Sequence, residues 1–302
     1  MIRDGPAGAP GSMATGIALP AVAGVTHRQV DVGSMSMHVA EAGSGPPLLL
    51  VHGWPQNWFC WHRVVPMLAD RFRLIMPDLR GHGWSDAPRR GYEKEQLATD
   101  MLRLLDRMEL DTVGYVGHDW GGWTGFLACL RAPQRFSGLV ALGIIHPFQH
   151  ITPAKAMQAW RGAYQLALST PVLSAAALRS SPQFIASMIH AAARNREAFT
   201  PEELRRYGEI FQQPARAHAT TQLYRTFLLR EVPRLARYRN QCLPVPTRLI
   251  IGEHDMIGSP ALLDGWQANA DDMRVEVLED VGHFIPDEAP MAVAARVVDM
   301  FG

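Results

Sequence analysis

The stretch Thr112-Val113-Gly114-Tyr115-Val116-Gly117-His118-Asp119-Trp120-Gly121-Gly122 predicts a short buried strand followed by a sharp turn, and residues 123–130 continue it as an apolar helix. Glycines stand two positions before and two positions after Asp119. They allow the strand and helix backbones to approach too closely for a Cβ, which leaves the central residue strained and exposed. This is the spacing of a nucleophile elbow, with Asp in the nucleophile position. The alternative is an Asp that only caps the helix N-terminus.

An aspartate nucleophile selects a particular chemistry. Its pKa is near about 4, so the carboxylate is ionised at neutral pH without the base that a serine needs. A carboxylate is a poor reagent for opening amides or ordinary esters. It can displace a strained or good leaving group at sp³ carbon, which indicates epoxides or alkyl halides as substrates.

On both sides of the elbow in the sequence, apolar runs alternate with helical patterns. Residues 28–42 predict an antiparallel hairpin around Gly33-Ser34, and leucines and methionines at helical spacing predict a helix over 97–108. Further strands are predicted at 47–51, 74–76, 112–116, 139–142, 247–251 and 275–278. The alternation predicts a mostly parallel eight-stranded sheet flanked by helices, with ligands bound at the carboxyl ends of its strands.

The alternation stops near Ile145 and resumes near Pro244. In between, helices are predicted at 152–168, 182–193, 200–213 and 216–230, with a capping box at Thr200-Pro201-Glu202-Glu203. We therefore predict a core domain of residues 25–145 and 244–302 and an inserted helical lid, or cap domain, of residues 146–243. The segment 1–24, rich in Gly, Ala, Pro and Ser at its start, is predicted to be disordered.

Candidate catalytic groups follow three other strands. His52-Gly53-Trp54-Pro55 follows the third strand, and the backbone N–H groups of Trp54 and Trp120 are candidates for an oxyanion hole. Gly252-Glu253-His254-Asp255 and Gly282-His283-Phe284 follow the last two strands. Asp255 is preferred over the neighbouring Glu253 as the acid that orients His283. The chain order is then nucleophile, acid and histidine.

Composition excludes several classes of function. The 29 basic and 29 acidic side chains give a formal net charge of +0, which argues against nucleic-acid or anionic-membrane partners. Neither a spanning helix nor secretion is predicted. The three cysteines, Cys60, Cys129 and Cys242, are odd in number and lie in apolar surroundings. This indicates buried, reduced thiols in a cytoplasmic protein. The dispersed histidines predict no metal, and no cofactor is expected.

The sequence resembles the α/β-hydrolases with an aspartate nucleophile, and among them the epoxide hydrolases, from about residue 28 onward. The resemblance is carried by His52-Gly53-Trp54-Pro55-Gln56, Asp78-Leu79-Arg80-Gly81-His82-Gly83-Trp84-Ser85, Gly117-His118-Asp119-Trp120-Gly121-Gly122, Gly252-Glu253-His254-Asp255 and Gly282-His283-Phe284. It implies an α/β-hydrolase fold, the catalytic triad Asp119, Asp255 and His283, and hydrolysis of an epoxide to a vicinal diol.

The same resemblance implies two lid tyrosines that donate a proton to the opening epoxide oxygen. Tyr164 and Tyr224 match their positions. Five residues are expected to line the substrate pocket: His52, Pro55, His146, Trp160 and Phe227. Aromatic lid side chains favour an apolar organic epoxide. The turn at 78–85 is expected to pair its carboxylate with its guanidinium.

The main alternative is haloalkane dehalogenase, which uses the same kind of nucleophile and holds the halide with two N–H donors. Trp54 occupies the position of one such donor, an Asn in that family, while Trp120 and Trp160 are candidate donors. Fluoroacetate dehalogenases place arginines around the nucleophile, where this chain has Trp120 and Trp123. Detoxification, catabolism and biosynthesis remain open as pathways, and the protein is expected to be a monomer or homodimer.

Overall fold

The computed structural model describes residues 16–150, 152–258 and 262–302 and is built around one eight-stranded sheet. The strands lie in the order β1-β2-β4-β3-β5-β6-β7-β8. They span Thr26–Asp31 (β1), Ser36–Ala42 (β2), Pro47–Val51 (β3), Arg73–Pro77 (β4), Val113–His118 (β5), Phe136–Leu142 (β6), Thr247–Gly252 (β7) and Met273–Leu278 (β8). Every predicted strand is present, because each continuous apolar run is a strand that helices cover.

The sheet is antiparallel only at one edge. Strands β1 and β2 form the predicted hairpin, and β2 pairs antiparallel with β4. The six strands from β3 to β8 run parallel, so that their carboxyl ends meet at one edge of the sheet. The turns after β3, β5, β7 and β8, which carry the candidate catalytic groups, therefore lie together.

Helices cover both faces of the sheet. The predicted helix over 97–108 is the amphipathic α2, whose leucines and Met101 are buried. The helix after the elbow, α3, is buried along nearly its whole length. The helices outside the insertion are Val65–Leu68 (α1), Lys94–Arg107 (α2), Trp120–Arg131 (α3), Ile285–Glu288 (α10) and Pro290–Phe301 (α11), with 3₁₀ turns at Trp58–Trp61 and Pro133–Arg135.

The helical insertion lies between β6 and β7, as predicted. Its helices are Pro153–Ala156 (α4), Ala163–Leu168 (α5), Pro171–Ser180 (α6), Pro182–Ala192 (α7), Pro201–Ile210 (α8) and Pro214–Thr226 (α9), with 3₁₀ turns at Ala159–Gly162, Arg196–Ala198 and Val232–Tyr238 and a π-helical turn at Phe227–Glu231. The capping box of Thr200 and Glu203 is present. None of the described helices combines the length and apolar character needed to cross a bilayer.

Two details of the insertion differ from the sequence prediction. The predicted helix over 152–168 is broken into α4, a 3₁₀ turn and α5, with Gly162, a poor helix former, at the last junction. Helix α6 was not predicted. It buries only Ser174 and Leu178, so it lacks the apolar periodicity that would have revealed it.

Close contact between β3 and β5 explains the glycines of the elbow. A Cβ at Gly121 would collide with the carbonyl oxygens of Val51 and His52, and a Cβ at Gly53 would collide with the side chain of Asp119. A Cβ at Gly117 would lie 2.5 Å from the Gly121 carbonyl oxygen. Only glycine fits at these positions, because two backbone segments meet there without space for a side chain.

The turn at 78–85 is structural, but its expected ion pair is wrong. Asp78 accepts hydrogen bonds from the His38 ring at 2.7 Å and from the Trp58 and Trp84 N–H groups. Arg80 instead forms a buried bidentate pair with Asp100 of α2, with both N···O distances at 2.8 Å. The turn is therefore held by the neighbouring strand and helix rather than by its own two charges.

The expectations for the N-terminal segment and for the three cysteines are each corrected in part. Residues 1–15 of the predicted disordered segment 1–24 are outside the described part of the chain. Residues 16–24 are described, and Ile17, Leu19 and Val22 pack against the core. Cys60 and Cys129 are buried free thiols as predicted, whereas Cys242 is exposed, with its thiol 3.3 Å from Asp271.

We expect Gly121→Ala to destabilise the fold severely, because the added methyl group meets backbone atoms that cannot move without separating β3 from the elbow. The cost should reach about 3 kcal/mol or more in free energy of unfolding, measured by urea denaturation. Gly162→Ala is the matched control, since its Cβ would meet nothing nearer than Gln165 at 3.9 Å. Equal stabilities for the two variants would contradict this account of the elbow.

Candidate active site

Asp119 occupies the turn between β5 and α3 in a strained backbone conformation. Its φ of 50° and ψ of −120° lie in a region that residues other than glycine rarely adopt. Its carboxylate makes no capping hydrogen bond to helix α3, which excludes the simple N-cap alternative. Instead the Trp54 N–H donates to Asp119 Oδ2 at 2.9 Å. The strained turn thus presents a buried carboxylate to the end of β3.

Burial raises the pKa of Asp119 to about 6. The charge of His283 and the N–H groups of Trp120 and Trp54 oppose this effect. The two N–H groups predicted to form the oxyanion hole are therefore the ones that already face this carboxyl group. At neutral pH the carboxylate is ionised and poorly solvated, a state in which it is a stronger nucleophile than in water.

His283 and Asp255 lie side by side at the carboxyl ends of β8 and β7. The His283 Nδ1–H lies 3.2 Å from each carboxylate oxygen of Asp255, and both side chains are buried. Asp255 also accepts hydrogen bonds from the N–H groups of Ile257 and Gly258. Glu253, the alternative acid, is exposed and faces His254, so it does not contact His283. The predicted order of nucleophile, acid and histidine thus corresponds to one cluster of side chains.

The charges of this cluster support one another. Burial alone would lower the pKa of His283, but the neighbouring carboxylates of Asp255 and Asp119 raise it to about 9. Burial would likewise raise the pKa of Asp255, yet the charge and hydrogen bonds of His283, with two backbone N–H groups, hold it below its usual value. At neutral pH the imidazole is therefore protonated, in contact with the carboxylate of Asp255 and within electrostatic reach of that of Asp119.

Tyr164 and Tyr224 belong to the insertion, and their rings contact each other. Their ring centroids are 5.9 Å apart, with Tyr224 buried and Tyr164 partly buried. The Tyr224 ring also makes edge contacts with the indoles of Trp54 at 5.4 Å and Trp120 at 5.7 Å. The structure therefore brings both predicted tyrosines to the two residues whose N–H groups face Asp119.

Both tyrosines keep their protons at neutral pH. Burial raises the pKa of Tyr164 far above its ordinary value, and the charge of Asp119 raises it further. The pKa of Tyr224 is also raised, first by burial and then by Tyr164 and Asp119. Because the negative charge of Asp119 contributes to both shifts, both hydroxyl groups lie within electrostatic reach of the carboxylate. They are hydrogen-bond donors at the pH of a living cell.

Of the five predicted pocket residues, Phe227 and Pro55 lie at the site. The Phe227 ring packs edge-on against Trp120 at 4.9 Å. Pro55 is buried and follows Trp54 through a cis peptide bond. Pro55 directly follows Trp54, and the Phe227 ring packs directly against Trp120. The N–H groups of Trp54 and Trp120 face Asp119.

The structure does not bring the other three predicted pocket residues to this group. Both ring nitrogens of His52 bond to the backbone, because the ring donates to the Gly53 carbonyl and accepts from the Leu79 N–H. His146 stacks on Phe148 and bonds to the Leu263 carbonyl, so it supports the start of the insertion. Trp160 is 66% exposed, since its short 3₁₀ turn carries the ring to the surface.

A cavity of about 180 Å³ adjoins Tyr164. It is lined by Ile145, Lys155, Gln158, Arg161, Gly162, Tyr164, Gln165, Ile257 and Leu262. Four of these side chains, two of them cationic, are polar, whereas the lid aromatics had suggested a purely apolar surface. Among its lining residues, Tyr164 is the one that belongs to the candidate catalytic group.

Two residues that sequence reasoning did not assign hold His283 in place. The ring of His118, which precedes the nucleophile, donates from Nε2 to the His283 carbonyl at 2.9 Å. Glu288 accepts hydrogen bonds from the N–H groups of Gly282 and Phe284 on either side of His283. His118 lies within the Gly117–Gly122 motif, and Glu288 lies shortly after Gly282-His283-Phe284. Their support of His283 is visible only from their contacts in the structure.

Glu288 also ties the histidine turn to the insertion. Its Oε2 accepts the N–H groups of Arg194 at 2.9 Å and Asn195 at 2.8 Å, just beyond α7. The His283 N–H in turn donates to the Ala192 carbonyl at 3.1 Å. The backbone around the histidine is therefore fixed as much by the insertion as by the sheet.

Sheet order, elbow and buried acid–histidine pair together define an enzyme of the α/β-hydrolase class. The family model for the alpha/beta hydrolase fold matches residues 46–290. A soluble epoxide hydrolase from Corynebacterium sp. (strain C12) is 30% identical over 92% of this chain and 97% of its own length. The structure of an epoxide hydrolase, CorEH, without ligand superposes with a TM-score of 0.82, at 30% identity over 92% of this chain and 98% of the other.

The chain belongs to the epoxide hydrolase family of α/β-hydrolases, and it is a hydrolase. A fluoroacetate dehalogenase from Burkholderia sp. is also similar, with 32% identity over 67% of this chain and 69% of its own length. The family therefore includes more than one reaction at this kind of site, and the reaction of this chain depends on the side chains around Asp119.

We expect Asp119→Asn to stabilise the protein at pH 8. The folded-state pKa of about 6 lies above the ordinary 3.8, so the charged carboxylate opposes folding above pH 6, and this cost disappears as pH falls through that window. The gain should be about 1–3 kcal/mol, since one pKa unit corresponds to about 1.4 kcal/mol. Urea unfolding at pH 8 and pH 4 measures it, and a gain that does not shrink at pH 4 would contradict the assignment.

Proposed function

We propose that this chain is an epoxide hydrolase that converts an organic epoxide and water to a vicinal diol through a covalent ester on Asp119. The observation that carries the proposal is the pair of protonated tyrosines, Tyr164 and Tyr224, that face the buried nucleophile. We also propose residues 146–243 as a cap domain over a core of residues 25–145 and 244–302, since the cap supplies both tyrosines.

In the first step, a carboxylate oxygen of Asp119 attacks one ring carbon of the epoxide. The C–O bond of the ring breaks, and its electron pair moves to the ring oxygen. Tyr164 and Tyr224 hydrogen-bond this oxygen, and one of them transfers its proton to it. The products are a hydroxyalkyl ester of Asp119 and a tyrosinate. Aromatic contacts from Trp54 and Trp120 hold Tyr224 in line with the nucleophile.

In the second step, His283 removes a proton from water, and the hydroxide adds to the carbonyl carbon of the ester. The Trp54 and Trp120 N–H groups stabilise the tetrahedral oxyanion, because they already face this carboxyl group. The oxyanion then expels the diol oxygen, which takes the proton of the newly added hydroxyl group. The proton that His283 takes from water stays on the imidazole, so that the enzyme regains its starting state of an ionised Asp119, a protonated His283 and two neutral tyrosines.

Alkylation of Asp119 prepares His283 for the second step. The charges of Asp255 and Asp119 together raise the pKa of His283 to about 9, at which the imidazole is protonated and is not a base. Formation of the ester removes the charge of Asp119. The pKa of His283 then falls, its proton passes to the tyrosinate left by the first step, and the neutral ring becomes available to take a proton from water. The nucleophile thereby controls when the base becomes active.

We expect His283→Gln to form the ester and to stop there. Glutamine cannot accept the proton of water, whereas the attack of Asp119 does not require the imidazole as a base. Incubation with a styrene-oxide-type epoxide should add the mass of one substrate molecule to the protein in intact mass spectrometry. Peptide mapping should locate the adduct at Asp119, and Asp119→Asn in the same background is the control without adduct. An unmodified His283→Gln protein would overturn the proposed mechanism.

Haloalkane dehalogenation is the second candidate function, and one observation favours it. The Trp120 indole N–H is buried and, among the described residues, has only the Tyr224 hydroxyl as a hydrogen-bond partner, so it could hold a halide. Two donors are needed. The Trp54 indole already donates to Thr220 Oγ1 at 3.1 Å, and Trp160 is exposed. With Trp120 and Trp123 in place of arginines, a carboxylate-gripping fluoroacetate site has no support either.

We expect Tyr164→Phe and Tyr224→Phe each to reduce epoxide turnover by about 10²-fold or more, because positioned general acids contribute 10²–10⁴-fold. Halide release from a 1-haloalkane, measured in parallel, should stay near background in every variant. Tyr238→Phe is the control, since its hydroxyl pairs with Glu95 in a different part of the protein. If the unmodified enzyme released halide and formed no diol, the proposed function would be dehalogenation rather than epoxide hydrolysis.

We further propose a cytoplasmic protein that takes a small organic epoxide without a cofactor. Its described cysteines are free thiols, which the reducing cytoplasm maintains.

A further inference from the structure

Lys94, one of two lysines in the chain, is buried where the core meets the insertion. It begins helix α2, and its side chain reaches toward the end of α9, the helix that carries Tyr224. Its Nζ donates to the Leu223 carbonyl at 2.5 Å and to the Glu231 carboxylate at 3.1 Å. The Lys94 backbone N–H donates to the same carboxylate at 3.0 Å.

The same ammonium group lies over two aromatic rings of the site. It is 4.6 Å from the Trp120 ring centroid and 5.0 Å from the Phe227 ring centroid. A buried cation at this distance from an indole face is attracted by the negative face of the ring. Lys94 therefore contacts the peptide group directly before Tyr224 and the indole beside Asp119 at once.

The end of α9 is irregular in this region. The chain changes from α-helix to a π-helical turn at Phe227, three residues after Tyr224. Such turns leave backbone carbonyl groups with weaker partners and are common at functional sites. Lys94 supplies a charged donor to the Leu223 carbonyl, and Thr226 adds a second link from its hydroxyl to the Tyr92 carbonyl at 3.1 Å. The core thus holds this part of the insertion through residues 92–94.

We propose that Lys94 and Glu231 form a positioning pair that sets the distance of Tyr224 from Asp119. This role rests on the proposed epoxide hydrolysis, since it is the tyrosine that needs to be placed. The pair fixes the backbone of Tyr224 through Leu223 and fixes Trp120 through its ring. An error of about 1 Å in such a placement is enough to cost 10²-fold in rate.

The test uses the His283→Gln background, in which only ester formation is observed. Quenched-flow mixing with a styrene-oxide-type epoxide and intact mass measurement give the rate of alkylation. Lys94→Met, which keeps the length of the side chain, should slow alkylation about 10- to 100-fold. Glu95→Gln is the matched control. It removes an ion pair of the same helix with Arg237 of the insertion, and it should change the rate less than twofold.

A double-mutant cycle separates positioning from loss of structure. In a Tyr224→Phe background, Lys94→Met should have almost no further effect on alkylation, because the group that it positions is already gone. Thermal unfolding of every variant verifies that each is folded. Fully multiplicative effects of Lys94→Met and Tyr224→Phe would overturn the inference, as would alkylation by Lys94→Met at the rate of its parent.

Glu231→Gln gives an independent test if Lys94→Met does not fold. Burial lowers the pKa of Lys94 to about 8, against the opposing charges of Glu231, Glu93 and Asp119, and Glu93 itself is paired with Arg230. Alkylation should therefore decline above about pH 8 as the ammonium loses its proton. Glu231→Gln should move that decline to lower pH, and an unmoved decline would overturn the inference. A His283→Gln parent that forms no adduct would instead overturn the proposed function, and this inference with it.

Discussion

The close approach of two backbone segments, at the ends of β3 and β5, is the constraint on which the site depends. Gly53 and Gly121 leave no space between these segments, so the Trp54 N–H reaches the carboxylate of Asp119 at 2.9 Å. The same closeness forces Asp119 into its unusual backbone conformation. A nucleophile that must point away from both its strand and its helix needs this crowding, because a relaxed turn would let the carboxylate cap the helix instead.

Burial raises the pKa of the proposed nucleophile and of both proposed proton donors. It raises the pKa of Asp119 only to about 6, because His283 and two N–H groups offset much of the lost solvation. It also keeps Tyr164 and Tyr224 protonated. One buried site therefore holds an ionised carboxylate and two neutral hydroxyl groups together at neutral pH.

The sequence predicted the sheet well, and it predicted that its candidate catalytic groups lie at one edge of that sheet, for physical reasons. A parallel strand covered on both faces must be a continuous apolar run, and groups at the carboxyl ends of such strands must meet, so Asp119, Asp255 and His283 were accessible from the sequence. Surface helices of the insertion carry a weaker signal. Helix α6 buries only two side chains, and Trp160 is exposed although it is large and aromatic.

Partners that are distant in sequence and have no motif of their own were beyond prediction. Asp78 pairs with His38 and Arg80 with Asp100, although Asp78 and Arg80 are close neighbours in the chain. Lys94 and Glu231 belong to no motif and are 137 positions apart in the chain. A charge pattern shows that ions are present, but only the packing of α9 against α2 determines which of them meet inside the protein.

Glu288 links two parts of the enzyme that are usually considered separately. Its carboxylate receives N–H groups from the turn that carries His283 and from the insertion just after α7. The position of the segment just after α7 and the backbone position of His283 therefore depend on the same side chain. One carboxylate thus links the position of the insertion to the alignment of His283, and a substitution that shifts the segment after α7 would alter both.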